Sequence, residues 1–344
     1  MTVPVVAPEA LLAPPPLLDG AGRIVEPLWG VDLTADGPAE IPPSDRILVG
    51  IGPPTPLARA LDLTLVPAGT ETGPEQVGVA DPEAELARLH AAATAAPHAS
   101  TVLAGLLRWS GSLDVPAALD AESLAYSTLL GGPEFRAWLT RRGPRPLPPA
   151  VDDPVLAVRE GDLLHLTLNR PERRNAYGRQ LRDALVALLE VARLDTDVHV
   201  VLDGAGPAFC AGGDLDEFGT TPDLVTAHLV RTRAGAALSV HTLRDRIEVH
   251  LHGACVGAGI EVPAYAGRIV AAPDTVLRLP EVAMGLIPGA GGTVSIPRRI
   301  GRHRTLWMAL SGAAVSAGRA LAWGLVDEVG PPGAPDPGGA RLSA

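Results

Sequence analysis

The chain has 344 residues, 47% of them hydrophobic, a formal net charge of −11 and no lysine, so its 28 basic residues are all arginine. The acidic balance excludes a general nucleic-acid binder, which needs a cationic face. The missing lysine excludes Schiff-base chemistry and a Ser–Lys dyad, and leaves arginine as the strong cation for a phosphate-bearing ligand.

Residues 1–45 are rich in proline and glycine and read as an irregular lead-in. Their first stretch, MTVPVVAPEALLAPPP, has no basic n-region, and no uninterrupted apolar run in the chain suggests a membrane span. Residues 46–66 predict strand, turn, short helix and strand. Gly50-Ile51-Gly52 looks like a phosphate loop, but Pro53 and Pro54 remove the N–H donors that a phosphate would use.

Asp81-Pro82-Glu83 is a helix start, with a capping acid before a first-turn proline. Leu86, Leu89 and Ala93 then share a face. After Pro97, Val102, Leu103, Leu106 and Leu107 form a second apolar stripe. Further helices are expected from Asp120 to Leu130 and from Glu134 to Arg142, so residues 46–144 form an α/β to mainly helical region. The five prolines in residues 143–154 mark a linker, set at 145–154.

From residue 155 to 329 strands alternate with helices. Leu164, Leu166 and Leu168 alternate with polar residues as a strand, Leu181, Leu185, Leu188, Leu189 and Ala192 make one helix face, and Val198–Leu202 suits a buried strand. The fold class is α/β, with helices packed on sheets. Residues 330–344 read as a disordered tail. Cys210 and Cys255 fit no metal-ligand spacing and suit free thiols in a reducing cytoplasm.

Three glycine-rich turns carry candidate chemistry. Phe209-Cys210-Ala211-Gly212-Gly213-Asp214 follows a buried strand, and Gly213 can offer its N–H unobstructed. Gly257-Ala258-Gly259-Ile260-Glu261 opens a helix, whose first N–H groups have no internal partner. One N–H from each turn would make an oxyanion hole. Leu279-Pro280-Glu281 precedes the glycine run from Gly285 to Thr293. Glu261 and Glu281 sit in apolar surroundings, where burial raises a carboxyl pKa towards the range that general acid–base work requires.

Residues 155–329 resemble the crotonase (enoyl-CoA hydratase/isomerase) superfamily, through LTLNRPERRNA at 166–176, AFCAGGDLDEF at 208–218, HGACVGAGIE at 252–261, PEVAMGLIPGAGGT at 280–293 and ALAWGLVDEV at 320–329. The resemblance implies a stacked β-β-α spiral that binds an acyl-CoA thioester, with no cofactor beyond the CoA of its substrate, assembled as a trimer or hexamer. It implies an oxyanion hole at Gly213 and Ala258. Glu261 would handle water and Glu281 the α-carbon proton in hydrating a 2-enoyl-CoA or in the reverse dehydration. Arg170, Arg173, Arg174 and Ala211 fall where family members contact CoA. Isomerisation, another enolate reaction or non-catalytic acyl-CoA binding are the alternatives.

Family members continue for some tens of residues past Gly-Leu-Val-Asp into helices that close the acyl pocket, whereas fifteen residues follow Val329 here. Residues 77–108 and 118–144 look like copies of those helices. The expectation is therefore a lid that precedes its core, with Arg141 or Arg142 as its contact to CoA phosphate.

Overall fold

A computed structural model describes residues 3–38 and 40–331. The first half builds a five-stranded, wholly parallel sheet from β1 (Val5–Val6), β2 (Leu28–Asp32), β3 (Ile47–Ile51), β4 (Leu63–Pro67) and β5 (Gln76–Val79), ordered as in the sequence. Four helices follow: α1 (Pro82–Ala95), α2 (Pro97–Trp109), α3 (Val115–Leu130) and α4 (Pro133–Arg142). Asp81 caps α1 by accepting from the Ala84 N–H, and Asp114 caps α3 in the same way through Ala117.

The lead-in is not irregular, contrary to the sequence expectation. Leu28 and Val31 of β2 are fully buried, and β2 pairs with β1 and β3. The Arg46 guanidinium pins the proline-rich stretch by donating to the carbonyls of Pro15, Pro16, Val25 and Glu26. Prolines lack N–H groups but keep their carbonyls, so a buried guanidinium supplies the donors that the backbone does not.

The second half builds a six-stranded sheet and a three-stranded one. β6 (Val155–Glu160) and β7 (Leu163–Leu168) form a hairpin. Then come α5 (Arg179–Leu194), β8 (His199–Gly204), α6 (Leu224–Ala234), α7 (Ala236–Thr242), β9 (Ile247–Leu251), β10 (Ala254–Val256), α8 (Ala258–Glu261), β11 (Arg268–Ala271) and β12 (Val276–Arg278). The chain continues with α9 (Gly292–Ser311), β13 (Val315–Ser316), α10 (Ala317–Trp323) and β14 (Glu328–Val329). The large sheet runs β14-β11-β9-β8-β7-β6, parallel except for the hairpin. Its register sets Leu166 beside Leu202 and Leu202 beside Val249, all buried, while on the face expected of α5 Leu181, Leu185, Leu189 and Ala192 are buried and Leu188 is partly buried.

The two halves share one hydrophobic core, and α1, α2 and α3 all pack on α9. Polar contacts reinforce this. Asp62, just before β4 and 3% exposed, accepts from the Leu48 N–H and from Arg108 of α2, and Arg302 of α9 reaches it at 3.4 Å. Trp307 of α9 donates its indole N–H to buried Glu85 of α1 at 2.8 Å. The tail expected from residue 330 onward lies outside the described residues beyond Pro331. Among the described residues no helix is long and apolar enough to cross a membrane.

Removing the Asp62 carboxylate leaves two arginines without their buried anion. Asp62→Ala should destabilise the protein by about 3 kcal/mol, the low end of the cost of breaking a buried ion pair, read as a lower urea midpoint. An unshifted midpoint would show that the halves hold together without it.

Candidate active site

The connection from β9 to α8 and the connection from β12 to α9 bring the two glutamates together. Gly257, between β10 and α8, has φ +51°, and a Cβ placed on it would lie 2.5 Å from Glu281 Oε1 and 3.6 Å from Glu261 Oε1. Only glycine fits that turn, for both its backbone and the carboxylates crowded over it. Glu261 is 2% exposed and Glu281 7%.

Their oxygens are treated differently. The N–H groups of Ala290 and Gly292 both donate to Glu261 Oε2, at 2.7 and 2.9 Å, and among the described residues nothing is bonded to Glu261 Oε1. Glu281 Oε2 is buried with no hydrogen-bond partner. Burial pushes the Glu281 carboxyl up to about 8, and burial followed by the neighbouring Glu281 and Glu122 pushes Glu261 up as well. The two N–H donors on Glu261 Oε2 favour its anion and have no counterpart on Glu281 Oε2.

Glu122 is the residue that sequence reasoning missed. It comes from α3, is 2% exposed, and grips the same backbone run: Gly291 N–H donates to Oε1 at 2.8 Å, Thr293 N–H to Oε2 at 2.9 Å and Thr293 Oγ1 to Oε2 at 2.7 Å. Four consecutive N–H groups, 290 to 293, thus alternate between Glu261 and Glu122. Burial raises the Glu122 carboxyl to about 7 against the pull of these donors. A signal was present in the sequence: Leu119, Glu122, Ser123, Tyr126 and Leu130 share one helical stripe, an acid in the middle of an apolar face.

The helices of the first half close the site. The Tyr126 ring lies flat against Gly289, where an added Cβ would meet it at 2.2 Å, and Phe135 of α4 packs beside Trp138 and Phe218. Tyr126, Phe135 and Phe218, together with Gly213, Ala258, Glu261 and Glu281, line a cavity of about 490 Å³. Among the described residues the Gly213 and Ala258 N–H groups have no hydrogen-bond acceptor, while those of their neighbours Asp214 and Gly257 do. Two unfilled donors on the wall of a cavity are an oxyanion site in waiting.

The CoA candidates divide. Arg170 is 1% exposed and does not present its cation to solvent; its main chain instead anchors a turn with Asn175. Arg173 is bound to Asp214 and Asp216, so its charge is neutralised within the protein. Arg174 is exposed, and its carbonyl accepts the Ala211 N–H at 2.9 Å, so these two lie together on the flank of the Gly213 turn. The lid's Arg142 is bonded to Asp216 at 2.6 Å, which links α4 to the Gly213 turn, and Arg141 at the end of α4 is exposed. Among the described residues no cluster of His, Cys, Asp or Glu is arranged to hold a metal.

A family model described as enoyl-CoA hydratase/isomerase matches residues 159–334. The chain is 35% identical over 178 residues to the 2,3-dehydroadipyl-CoA hydratase of Escherichia coli K12, covering 52% of this chain and 69% of that protein. It is 34% identical over 195 residues to a mevalonyl-coenzyme A hydratase of Beauveria bassiana, covering 54% and 70%. The crystal structure of an enoyl-CoA hydratase from Thermoplasma volcanium aligns at 31% identity with a TM-score of 0.47, covering 51% and 71%.

Buried carboxyls that keep their protons make stability pH-dependent. Folded Glu281 and Glu122 titrate at about 8 and about 7, whereas in the unfolded chain they release protons near the ordinary 4.5. The folded state therefore binds more protons between those values, and their stabilisation is full below about 4.5 and lost as pH rises through 8. The melting temperature should fall by a few degrees from pH 5 to pH 8, and less steeply in Glu281→Gln and Glu122→Gln. Identical slopes in wild type and both variants would refute the assignment.

Proposed function

We propose the following reading for a chain that belongs to the enoyl-CoA hydratase/isomerase family and carries its crotonase fold: the enzyme hydrates a 2-enoyl-CoA to the 3-hydroxyacyl-CoA, and runs the reverse, through its two buried glutamates. The observation that carries it is the meeting of two unlike buried carboxyls, one bonded by two backbone N–H groups and one with an unpartnered oxygen, on a cavity with two free backbone donors.

The thioester oxygen accepts from the Gly213 and Ala258 N–H groups, which draws electrons from the double bond towards it. Water is held by Glu261, whose Oε1 is free to take its proton while Oε2 stays bound to Ala290 and Gly292. The water oxygen bonds to the β-carbon, and the π-electron pair moves onto the thioester as an enolate. Glu281 gives its proton to the α-carbon, the enolate collapses, and the C–H bond forms. Glu261 now carries a proton taken from the water while Glu281 has given its own to the α-carbon, and return of one proton from Glu261 to Glu281 resets the pair. Isomerisation needs one carboxyl to move a proton between two carbons; a second, oriented by two N–H donors, favours the reading in which water is activated.

CoA leaves the site past Gly213, where exposed Arg174 and the adjoining Ala211 backbone are positioned for its head group. CoA enters as part of the substrate, and no further cofactor is needed.

Glu281→Gln keeps the shape of the side chain and removes its exchangeable acid. Hydration of crotonyl-CoA or a longer 2-enoyl-CoA, followed as loss of enoyl absorbance with hydroxyacyl product, should slow about a thousandfold, with thioester affinity nearly unchanged. Undiminished turnover would overturn the role given to Glu281.

A further inference from the structure

One charged group on the cavity wall has no part in this chemistry. Arg231 of α6 stands over the Tyr126 ring, its guanidinium carbon 4.5 Å from the ring centroid, and lines the cavity. It donates from Nε to Ser123 Oγ at 3.1 Å and from Nη2 to the Ser123 carbonyl at 3.2 Å and to Ser127 Oγ. These partners are neutral. Among the described residues no carboxylate lies within ion-pair distance of it. The nearest acid is Glu122, already committed to Gly291 and Thr293.

Nη1 is left without a protein acceptor among the described residues, on a wall shared with Leu119, Leu130, Phe135, Phe218 and Val230, and none of the cavity's carboxyls is ion-paired with it there. The two other arginines on that wall differ: Arg182 is bonded to Asp183, and Arg179 sits at the exposed start of α5. A partly desolvated guanidinium without an ion-pair partner is costly to keep unless a ligand supplies the counter-charge.

Position decides which part of the ligand that is. The free donors of Gly213 and Ala258 fix the thioester oxygen, and CoA passes Ala211 and Arg174. An acyl chain held there shares its cavity with Glu261 and Glu281 and with the α3 and α6 side, whose wall includes Tyr126 and Arg231. Building on the hydratase reading above, we infer that Arg231 is a specificity residue for an acyl group ending in a carboxylate, so that the substrate class is the CoA thioester of a short unsaturated dicarboxylic acid. Arginine presents a planar fork that matches a carboxylate, and its ties to Ser123 and Ser127 hold that fork still.

The test compares two CoA thioesters of equal length, 2-hexenoyl-CoA and the corresponding 2-enoyl-CoA with a terminal carboxylate. Wild type should favour the carboxylate-ended substrate by about thirtyfold or more in kcat/KM, and Arg231→Met should bring that ratio to about one. Arg231→Gln, which retains donors for Ser123 and Ser127, should lose the preference as well, and it serves if the methionine variant does not fold. Equal or reversed preference in wild type overturns the inference. So does a variant that slows both substrates by one factor, since Arg231 would then merely clasp α3 to α6. Failure of wild type to hydrate either thioester would instead strike at the hydratase reading itself.

Discussion

Four successive backbone N–H groups, from Ala290 to Thr293, are shared alternately between two carboxylates. The 290 and 292 donors hold Glu261, and the 291 and 293 donors hold Glu122. Adjacent amides in an extended or turning segment point to opposite sides, so a single strip of backbone can serve two acids that never touch it from the same direction. One acid belongs to the core and the other to a helix of the first half. The orientation of Glu261 is thereby coupled to the docking of α3, a helix from the first half of the chain. Tyr265 and Ser295 brace the same strip, through a hydroxyl on the Gly291 carbonyl and another on the Glu261 carbonyl.

That coupling explains why glycine is so dense between residues 285 and 292. The segment must present its amides on two sides and accept an aromatic ring directly on its backbone, and a side chain at Gly289 would occupy the space of Tyr126. Electrostatics adds to the same requirement. Three buried acids within one site repel one another, and the amide donors and the start of α9 are the positive counterweight that lets one of them ionise.

Much of this was legible in the residues. Glu261, Glu281, Gly213 and Ala258 were found because short glycine-rich motifs with acids at fixed offsets are local features, and the structure brings all four to one cavity. The β7 strand and the α5 face followed from periodicity, since each has one buried side, and β8, buried at Val200, Val201 and Leu202 in succession, followed from its continuous apolar run. The β2 strand was hidden because its sequence, Leu-Trp-Gly-Val-Asp, is short and embedded among prolines, and its burial depends on a guanidinium from another segment. Arg170 misled for a related reason. An arginine after a strand reads as solvent-facing by composition, and only the packing of the Pro171 turn shows it to be enclosed. Glu122 needed both halves at once, because its partners lie on the far side of a linker.

The order of the elements along the chain carries a consequence for how the molecule comes to be made. The bond between Glu122 and Thr293 spans 171 residues. Loop-closure entropy grows only logarithmically with such a span, so the long separation weakens the finished contact little. It does, however, load the folding reaction with non-local contacts, which slow it. A ribosome releases the cover of this catalytic chamber before the chamber's floor has been synthesised. The helices that will shield the glutamates are present, with apolar faces bared, while the strands that carry those glutamates are still to emerge. Birth order thus makes the early helices the dependants: until the glycine strip arrives, α3 has a buried acid in waiting and nothing to bury it against.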